Sequence, residues 1–364
     1  MTVLSVPVLS SDQVETLPAR AREVVDYRKS GLSLNHIQGC PLDCAYCIRH
    51  TYGLWDQRQP RALISDAAAV EQLVGHRYFR PHATPLQLFN RATDPFLAQV
   101  KGHTFAVLED LDARGLRNHV LVITRCPVSE SDCERLAGLG HLRVTLLLTY
   151  SGIDDQRIEP YPSLVAADSL QVAGAYRPRR FRTVLYWRPL VPGLNDSPGH
   201  LARAAALSRY ADGTVFTGLF FRDEIAAYYR QNNLPEPYGE TARRKIMPET
   251  LEQRVLAAFR EHGGGPLFRK TSCAVSYAHG LPDYNGHVGI RELCDICPAA
   301  QLALCQSAHQ VPAAEQVRQA ASALPEAAGL QDGCRPRSAG GGWVRGCGNC
   351  GWPEEWRLRS RPPG

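Results

Sequence analysis

The sequence predicts an α/β fold: a partial (β/α)6 barrel followed by a C-terminal cysteine-rich, metal-binding extension. Three observations predict it. Short apolar, strand-like runs alternate with amphipathic or alanine-rich stretches over residues 31–230. Strand–helix alternation is typical of a parallel sheet with right-handed crossovers, and six such units suit a partial barrel. Beyond about residue 230, loop-like segments that contain cysteines replace the alternation.

Each predicted strand is a short run of aliphatic, β-branched and aromatic residues. The six runs are residues 32–38, 85–90, 119–124, 143–150, 182–190 and 214–221. The helical candidates between or after them are residues 65–75, 97–115, 129–138, 162–174 and 198–210. In barrels of this kind the chemistry lies at the C-terminal ends of the strands. We therefore expect functional residues directly after these runs.

Four segments are predicted along the chain. They are an N-terminal arm (1–30), the barrel (31–230), an extension with an auxiliary metal site (231–310), and a helix or linker with a cysteine-containing tail (311–364). No internal repeat stands out, which argues against a solenoid or propeller.

Composition limits the class of protein. A hydrophobic fraction of 44% over 364 residues is enough for a full core. The sequence contains no run of 18 apolar residues, so we expect no membrane span. The first twenty residues lack the basic and apolar regions of a secretory signal, so we expect a cytoplasmic protein. Its 12 cysteines should then be reduced, and clustered ones should bind metal. The net charge of +5 permits an anionic partner without requiring one.

Three cysteines follow the first predicted strand in the stretch "GCPLDCAYC": Cys40, Cys44 and Cys47. A structural zinc site needs four ligands, and a cubane cluster has four irons to hold. Three thiolates can bind three irons of a [4Fe–4S] cluster and leave an open iron site for chemistry. The spacing alone leaves a zinc knuckle open, with His36 or His50 as the fourth ligand.

The chain resembles the radical S-adenosylmethionine (radical SAM) superfamily, in its spore-photoproduct-lyase-like branch. Tyr46, just before the third cysteine, matches the aromatic residue usually found there. The other matching motifs are "NRATDPF" (90–96), "LVITRCPV" (121–128), "TYSGID" (149–154), "RIEPYPS" (157–163) and "RPLVPGLND" (188–196). They occur in the order that the branch uses, and the resemblance covers about residues 31–225.

The resemblance implies a partial (β/α)6 radical SAM barrel and a defined chemistry. The open iron would bind SAM, and a reduced cluster would cleave it to methionine and a 5′-deoxyadenosyl radical, which takes hydrogen from a substrate. A flavodoxin or ferredoxin would donate the electron. The substrate stays open: a nucleic-acid lesion, a peptide and a small metabolite are all retained, because fold does not imply function.

The resemblance also implies residues that contact SAM or support its site. They are Tyr46, Asn90, Thr93, Asp94, Thr124, Ser151, Glu159 and Arg188. Among these, Arg188 would pair with the SAM carboxylate. Each has a plainer alternative, such as a helix cap for Asp94, strand-end hydrogen bonds for Thr124 and Ser151, or a surface salt bridge for Glu159.

Cys126 departs from the branch pattern. At the end of a strand on the active face, a thiol could return a hydrogen atom to a substrate radical, and we predict this catalytic role for it. The alternative is a small buried hydrophobic residue. Cys133, on a predicted helix, is expected to be structural.

A second cysteine group follows the barrel: Cys273, Cys294, Cys297 and Cys305. Four thiolates can close a site, and their position and number resemble the SPASM or twitch type of auxiliary-cluster extension, although the spacing differs. We predict a second [4Fe–4S] cluster there, with a structural zinc as the alternative. A variant with three cysteines and His279 or His287 stays open.

Cys334, Cys347 and Cys350 form a third group that lacks an obvious fourth ligand. Half of a zinc ribbon and a third cluster are both open. The sequence thus predicts a radical SAM enzyme of the lyase or oxidoreductase type. The alternatives are a non-catalytic, zinc-stabilised binding module and a degenerate radical SAM protein that has lost turnover.

Overall fold

Residues 6–28 and 30–308 are described by a computed structural model, and they form an α/β fold, as predicted. The strands are β1 (Val25–Arg28), β2 (Gly31–Leu34), β3 (Ile37–Gln38), β4 (Arg61–Ala62), β5 (Leu86–Leu88), β6 (His119–Thr124), β7 (Arg143–Tyr150), β8 (Arg182–Leu190), β9 (Gly213–Gly218) and β10 (Leu267–Phe268). The α-helices are α1 (Ser11–Glu15), α2 (Asp66–Val74), α3 (Lys101–Ala113), α4 (Glu130–Gly138), α5 (Ser163–Ala175), α6 (Pro198–Ser208), α7 (Asp223–Gln231), α8 (Glu249–Glu261), α9 (Thr271–Ala278), α10 (Arg291–Cys294) and α11 (Ala299–Ala308). The predicted tail 311–364, with Cys334, Cys347 and Cys350, lies outside the described residues.

Eight strands form one sheet in the order β1-β2-β5-β6-β7-β8-β9-β10. Neighbouring strands from β2 to β10 are all parallel, whereas β1 is antiparallel to β2. The short strands β3 and β4 pair with each other in a separate antiparallel sheet. The six predicted strands appear as β2 and β5 to β9, with one more strand at each edge of the sheet. The first predicted run, 32–38, is divided, because its last two residues form β3 in the separate sheet. The predicted segment boundaries at residues 30, 230 and 310 stay predictions.

Three of the helices between the strands begin at a serine cap. The side chains of Ser65, Ser129 and Ser197 each accept a hydrogen bond from a backbone N–H in the first turn of α2, α4 and α6. These caps satisfy donors that have no partner inside the helix. Within the described residues, no helix is both long and apolar enough to span a bilayer.

The two faces of the sheet pack against different layers. Alternate residues of a strand point to opposite faces, so Val120 and Val122 of β6 join the large core beneath the connecting helices. Leu121 of the same strand instead joins a smaller core, which includes Phe268 and Val275 from β10 and α9. Helix α9 packs against β8 and β9. The segment that contains the second cysteine group therefore lies against the inner face of the sheet.

His119, at the start of β6, makes folding sensitive to acid. Its side chain is 5% exposed, and burial together with nearby Arg143 lowers its pKa to about 4. An unfolded histidine has a pKa of about 6.5, so between these values the unfolded state binds more protons. The contribution of neutral His119 to the free energy of unfolding is therefore complete above about pH 6.5, and it is lost as the pH falls towards 4.

We expect the free energy of unfolding to fall by about 2–3 kcal/mol through this residue between about pH 6.5 and pH 4.5. Urea unfolding at both pH values, on the wild type and on His119→Gln, measures the effect. The variant should lose less stability on acidification than the wild type. His262→Gln, which removes an exposed histidine, should keep the wild-type loss. An unchanged acid response in His119→Gln would contradict the assignment.

Candidate active site

A cavity of about 710 Å³ opens at the C-terminal ends of the parallel strands. Cys40, Cys44 and Cys47 all line it. Much of the remaining lining comes from the segments that follow β5, β6 and β9, from the last part of β8, and from the residues around Arg20, Arg28 and Tyr52. This is the face where parallel α/β folds place their chemistry.

The loop that bears the three cysteines is held by backbone geometry. Gly39 has a φ of +101°, and a Cβ there would lie 2.2 Å from the carbonyl oxygen of Gln59. Glycine is therefore the residue that permits this turn. The N–H of Cys40 donates to the carbonyl oxygen of Gln57 at 2.9 Å, and Arg49 donates to the carbonyl oxygen of Leu42 at 2.7 Å. These contacts fix the loop before any metal binds.

The three thiols suit a bound cationic cluster. None of them forms a disulfide, and Cys40 and Cys44 are buried. Burial raises the pKa of the Cys44 thiol well above its usual range, and the neighbouring Arg125 opposes this shift. Burial likewise raises the pKa of Cys40, and Arg49 opposes it. Metal binding requires thiolates, and bound iron would supply the positive charge that stabilises them in this buried loop.

The two histidines proposed as a fourth zinc ligand point elsewhere. His36 is buried, and its Nε2 atom lies 2.7 Å from Oδ1 of Asp66. The ring of His50 stacks on Trp55 with 3.8 Å between ring centroids. Neither histidine is among the described residues that line the cavity. The geometry thus favours three thiolates without a histidine.

A buried ion pair supports the cysteine loop from behind. Nη1 of Arg125 donates to both carboxylate oxygens of Glu159 at 2.8 Å, and to Sγ of Cys44 at 3.1 Å. The hydroxyl of Tyr46 donates to the same carboxylate. The side chain of Glu159 is 3% exposed, so the pair is shielded from water. One carboxylate therefore orients the cation beside Cys44 and the aromatic residue before Cys47.

Asp94 joins the ends of two strands. Its Oδ1 accepts hydrogen bonds from the Thr124 hydroxyl at 2.6 Å and from the N–H of Phe96 at 2.9 Å. Its Oδ2 accepts from the N–H of Arg125 at 3.0 Å. The carboxylate therefore fixes the segment after β5 against the end of β6, next to the cysteine loop.

The predicted SAM-site residues divide into two groups. Those that line the cavity are Tyr46, Asn90, Thr93, Asp94 and Arg188, and those that lie behind it are Thr124, Ser151 and Glu159. The Thr93 hydroxyl is buried and has no hydrogen-bond partner among the described residues. Ser151 instead contacts Ser163, with 3.1 Å between the hydroxyl oxygens. Residues of the first group can contact a ligand directly, whereas those of the second can act only by positioning others.

Cys126 lies in the wall of the site. It is 2% exposed, and it is not among the described residues that line the cavity. Burial raises the pKa of its thiol, and Asp94 adds to that shift. Its role as a hydrogen-atom donor stays a prediction. Cys133 is fully buried in α4, where burial raises the pKa of its thiol to about 11.

The second cysteine group surrounds an Asp–His pair. Ligand atoms of Cys273, Asp283 and His287 all lie within 4.8 Å of one another. Cys294 donates to the carbonyl oxygen of His287 at 3.7 Å, and Sγ of Cys305 accepts from the N–H of Asp283 at 3.3 Å.

The remaining members of this group are distinguished by their neighbours. Burial raises the pKa of Cys297 to about 11, and Cys294, Cys305 and Asp283 add to the shift. His279 lies apart, with its Nε2 atom 2.9 Å from the Thr145 hydroxyl. Of the two histidines left open by the sequence, His287 is the one next to the thiols.

Sequence reasoning missed three residues that the site uses. The sequence does mark Arg125 as a candidate, because this residue directly follows the end of a predicted strand. Asp283 lies four residues before His287, a spacing at which side chains can meet. Nothing in the sequence marks Lys245. It lies at the cavity next to Ile246, which pairs with Leu219 after β9.

No protein-family model matches the chain, and no curated protein matches it. One similar solved structure is spore photoproduct lyase complexed with dinucleoside spore photoproduct, at 13% identity and a TM-score of 0.45, covering 67% of this chain and 76% of that one. Another is Streptococcus suis SuiB bound to S-adenosylmethionine, at 10% identity and a TM-score of 0.43, covering 70% of this chain and 53% of SuiB. SuiB bound to precursor peptide SuiA is also similar, at 11% identity and a TM-score of 0.42, covering 64% of this chain and 46% of that one. At these values the likenesses define no activity, substrate or partner for this chain.

Proposed function

We propose that this chain is a radical SAM enzyme, which reductively cleaves S-adenosylmethionine and passes the radical to a substrate. One observation carries the proposal: the three thiols of the C-x3-C-x2-C motif line a single cavity at the C-terminal ends of the parallel strands. An open iron needs three protein thiolates and free space beside them. The cavity supplies both.

Cys40, Cys44 and Cys47 would hold the [4Fe–4S] cluster. A cluster held there would supply an open iron site for the amino and carboxylate groups of SAM, and the electron for cleavage of its C–S bond. Asn90, Thr93 and Asp94 line the cavity beside the thiols. Their amide, hydroxyl and carboxylate groups are suited to bind the SAM amino group and ribose.

The other residues of the site act as supports. Arg125 places a positive charge against Cys44, and Glu159 holds that guanidinium in place. Thr124 holds Asp94 through a 2.6 Å hydrogen bond. Supporting contacts of this kind typically change metal affinity or activity by about 10- to 100-fold when removed.

A second metal centre is proposed at Cys273, Cys294, Cys297 and Cys305, with His287 as a further donor beside Cys273. A [4Fe–4S] cluster is retained as the first assignment and zinc as the alternative. A flavodoxin or ferredoxin is proposed as the electron donor for the enzyme.

Anaerobic reconstitution with iron and sulfide tests the proposal. We expect about eight irons per chain, and formation of 5′-deoxyadenosine when dithionite and SAM are added. Cys297→Ala should lose about four of those irons and keep about four. About four irons together with zinc in the wild type would instead assign zinc to the second centre. Zinc without iron, and no deoxyadenosine, would contradict the enzyme and favour a binding module.

A further inference from the structure

The cavity is strongly cationic. Eight arginine or lysine side chains line it, and the carboxylate in the lining is that of Asp94. Three of the eight, Arg28, Arg91 and Arg125, form ion pairs with carboxylates behind the lining, which leaves five without such a pair among the described residues. The Asp94 carboxylate accepts hydrogen bonds from the Thr124 hydroxyl and from the backbone N–H groups of Phe96 and Arg125. A low-dielectric cleft lined by charges of one sign concentrates ligands of the opposite sign. The cavity therefore selects for an anion.

Two of these cations, Arg188 of β8 and Lys245 of the segment before α8, line the cavity near Tyr186. Arg188 lies over the ring of Tyr186, with 4.1 Å from the guanidinium carbon to the ring centroid. The Tyr186 hydroxyl accepts a hydrogen bond from Thr271 at 3.3 Å. Within the described residues, neither Arg188 nor Lys245 forms an ion pair with a carboxylate.

Electrostatics at this point favour an added negative charge. The side chain of Lys245 is exposed. The surrounding protein lowers its pKa, Tyr186 opposes this shift, and Arg188 and Lys270 lower the pKa further. Burial raises the pKa of the Tyr186 hydroxyl, but Arg188, Lys245 and the hydrogen bond from Thr271 outweigh it and bring the pKa down to about 8. Like charges held together in this way raise the free energy of the empty site. A bound anion would offset that cost.

We infer that Arg188, Lys245 and Tyr186 form a subsite for a phosphate group of the substrate. An arginine fork and a lysine point charge are the usual pair of phosphate donors, and the Tyr186 hydroxyl can donate a third hydrogen bond. A phosphate monoester carries about −1.5 to −2 charges near pH 7. This charge balances two cations more closely than the single charge of a carboxylate would. This inference rests on the proposed function, because a substrate subsite requires that the chain be an enzyme.

Position also separates this subsite from the SAM carboxylate, to which the sequence motif assigns Arg188. The segment Asn90–Asp94 follows β5, whereas Arg188 belongs to β8. Three strand spacings separate β5 from β8, which is about 14 Å along the sheet. Along the sheet, the substrate subsite therefore lies apart from Asn90–Asp94, the segment proposed to contact the SAM amino group.

Isothermal titration of the full-length, reconstituted protein with inorganic phosphate tests the inference. We expect saturable binding, a rise in Kd of about tenfold in Lys245→Met, and a SAM Kd that stays within about twofold. Arg244→Gln is the matched control, because it removes a neighbouring exposed charge that does not line the cavity. It should leave both Kd values unchanged. Circular dichroism checks folding, and Arg188→Gln replaces Lys245→Met if that variant does not fold.

Three results would overturn the inference. Phosphate binding that is absent, or weakened equally by Arg244→Gln, would mean that no subsite exists. Acetate binding as tight as phosphate would remove the phosphate assignment. If Lys245→Met lost more affinity for SAM than for phosphate, Arg188 and Lys245 would be assigned to the SAM carboxylate instead. Phosphate binding needs no SAM cleavage. Phosphate binding without formation of deoxyadenosine would therefore contradict the proposed reaction and leave the phosphate subsite supported.

Discussion

Cys44→Ala is expected to reduce SAM cleavage to background and to lower the iron content by about four atoms per chain. Cys44 is 4% exposed and lies at the centre of its loop, next to Arg125. Two remaining thiolates cannot hold three irons of a cubane. Apart from Cys40 and Cys47, no cysteine among the described residues lines the cavity, so none can replace Cys44. The loss should therefore be complete rather than graded.

The measurement is anaerobic reconstitution, followed by an iron count and by an assay for 5′-deoxyadenosine after reduction with dithionite. Cys133→Ala is the matched control, because it removes an equally buried thiol from α4, outside the cavity. Its cost should be about 1 kcal/mol in stability, with iron and deoxyadenosine unchanged. Full cleavage by Cys44→Ala would disprove the assignment of the three cysteines.

The central strands could be predicted from the sequence because their apolar runs end abruptly. Residues 119–124, 143–150 and 182–190 coincide with β6, β7 and β8. The edge strand β1 was missed because its "VDYR" sequence is half polar and its side chains are largely accessible. The two residues of β10 are too few to give a periodic signal.

The site could be predicted only where a motif or a strand end marked it. The spacing of the three cysteines is local, so the sequence reveals it. Arg125 and Glu159 are 34 residues apart, and nothing in either segment shows that they meet. Lys245 comes from a loop whose place depends on the whole sheet. Contacts of this kind arise from tertiary packing, which single-sequence patterns do not encode.

Glu159→Gln is expected to lower the free energy of unfolding by about 3–5 kcal/mol, because it leaves the Arg125 cation buried without a counter-ion. The value should lie near the lower limit, since the glutamine oxygen still accepts one hydrogen bond and the Arg125 side chain is 15% exposed. Urea unfolding of the metal-free protein measures it. Glu109→Gln is the control: it removes a carboxylate that is 49% exposed and paired with Arg135. It should cost about 0–1 kcal/mol.

A double variant separates the ion pair from general damage to the loop. Arg125→Met with Glu159→Gln removes both charges, so it should be more stable than Glu159→Gln alone. Arg125→Met alone completes the cycle: if the double variant lost as much stability as the two single variants lose together, the pair would have no coupling. The same pair should matter for the metal, because Arg125 loses its orienting partner beside Cys44. Iron affinity should therefore fall about 10- to 100-fold in Glu159→Gln, while Glu109→Gln should retain the wild-type affinity.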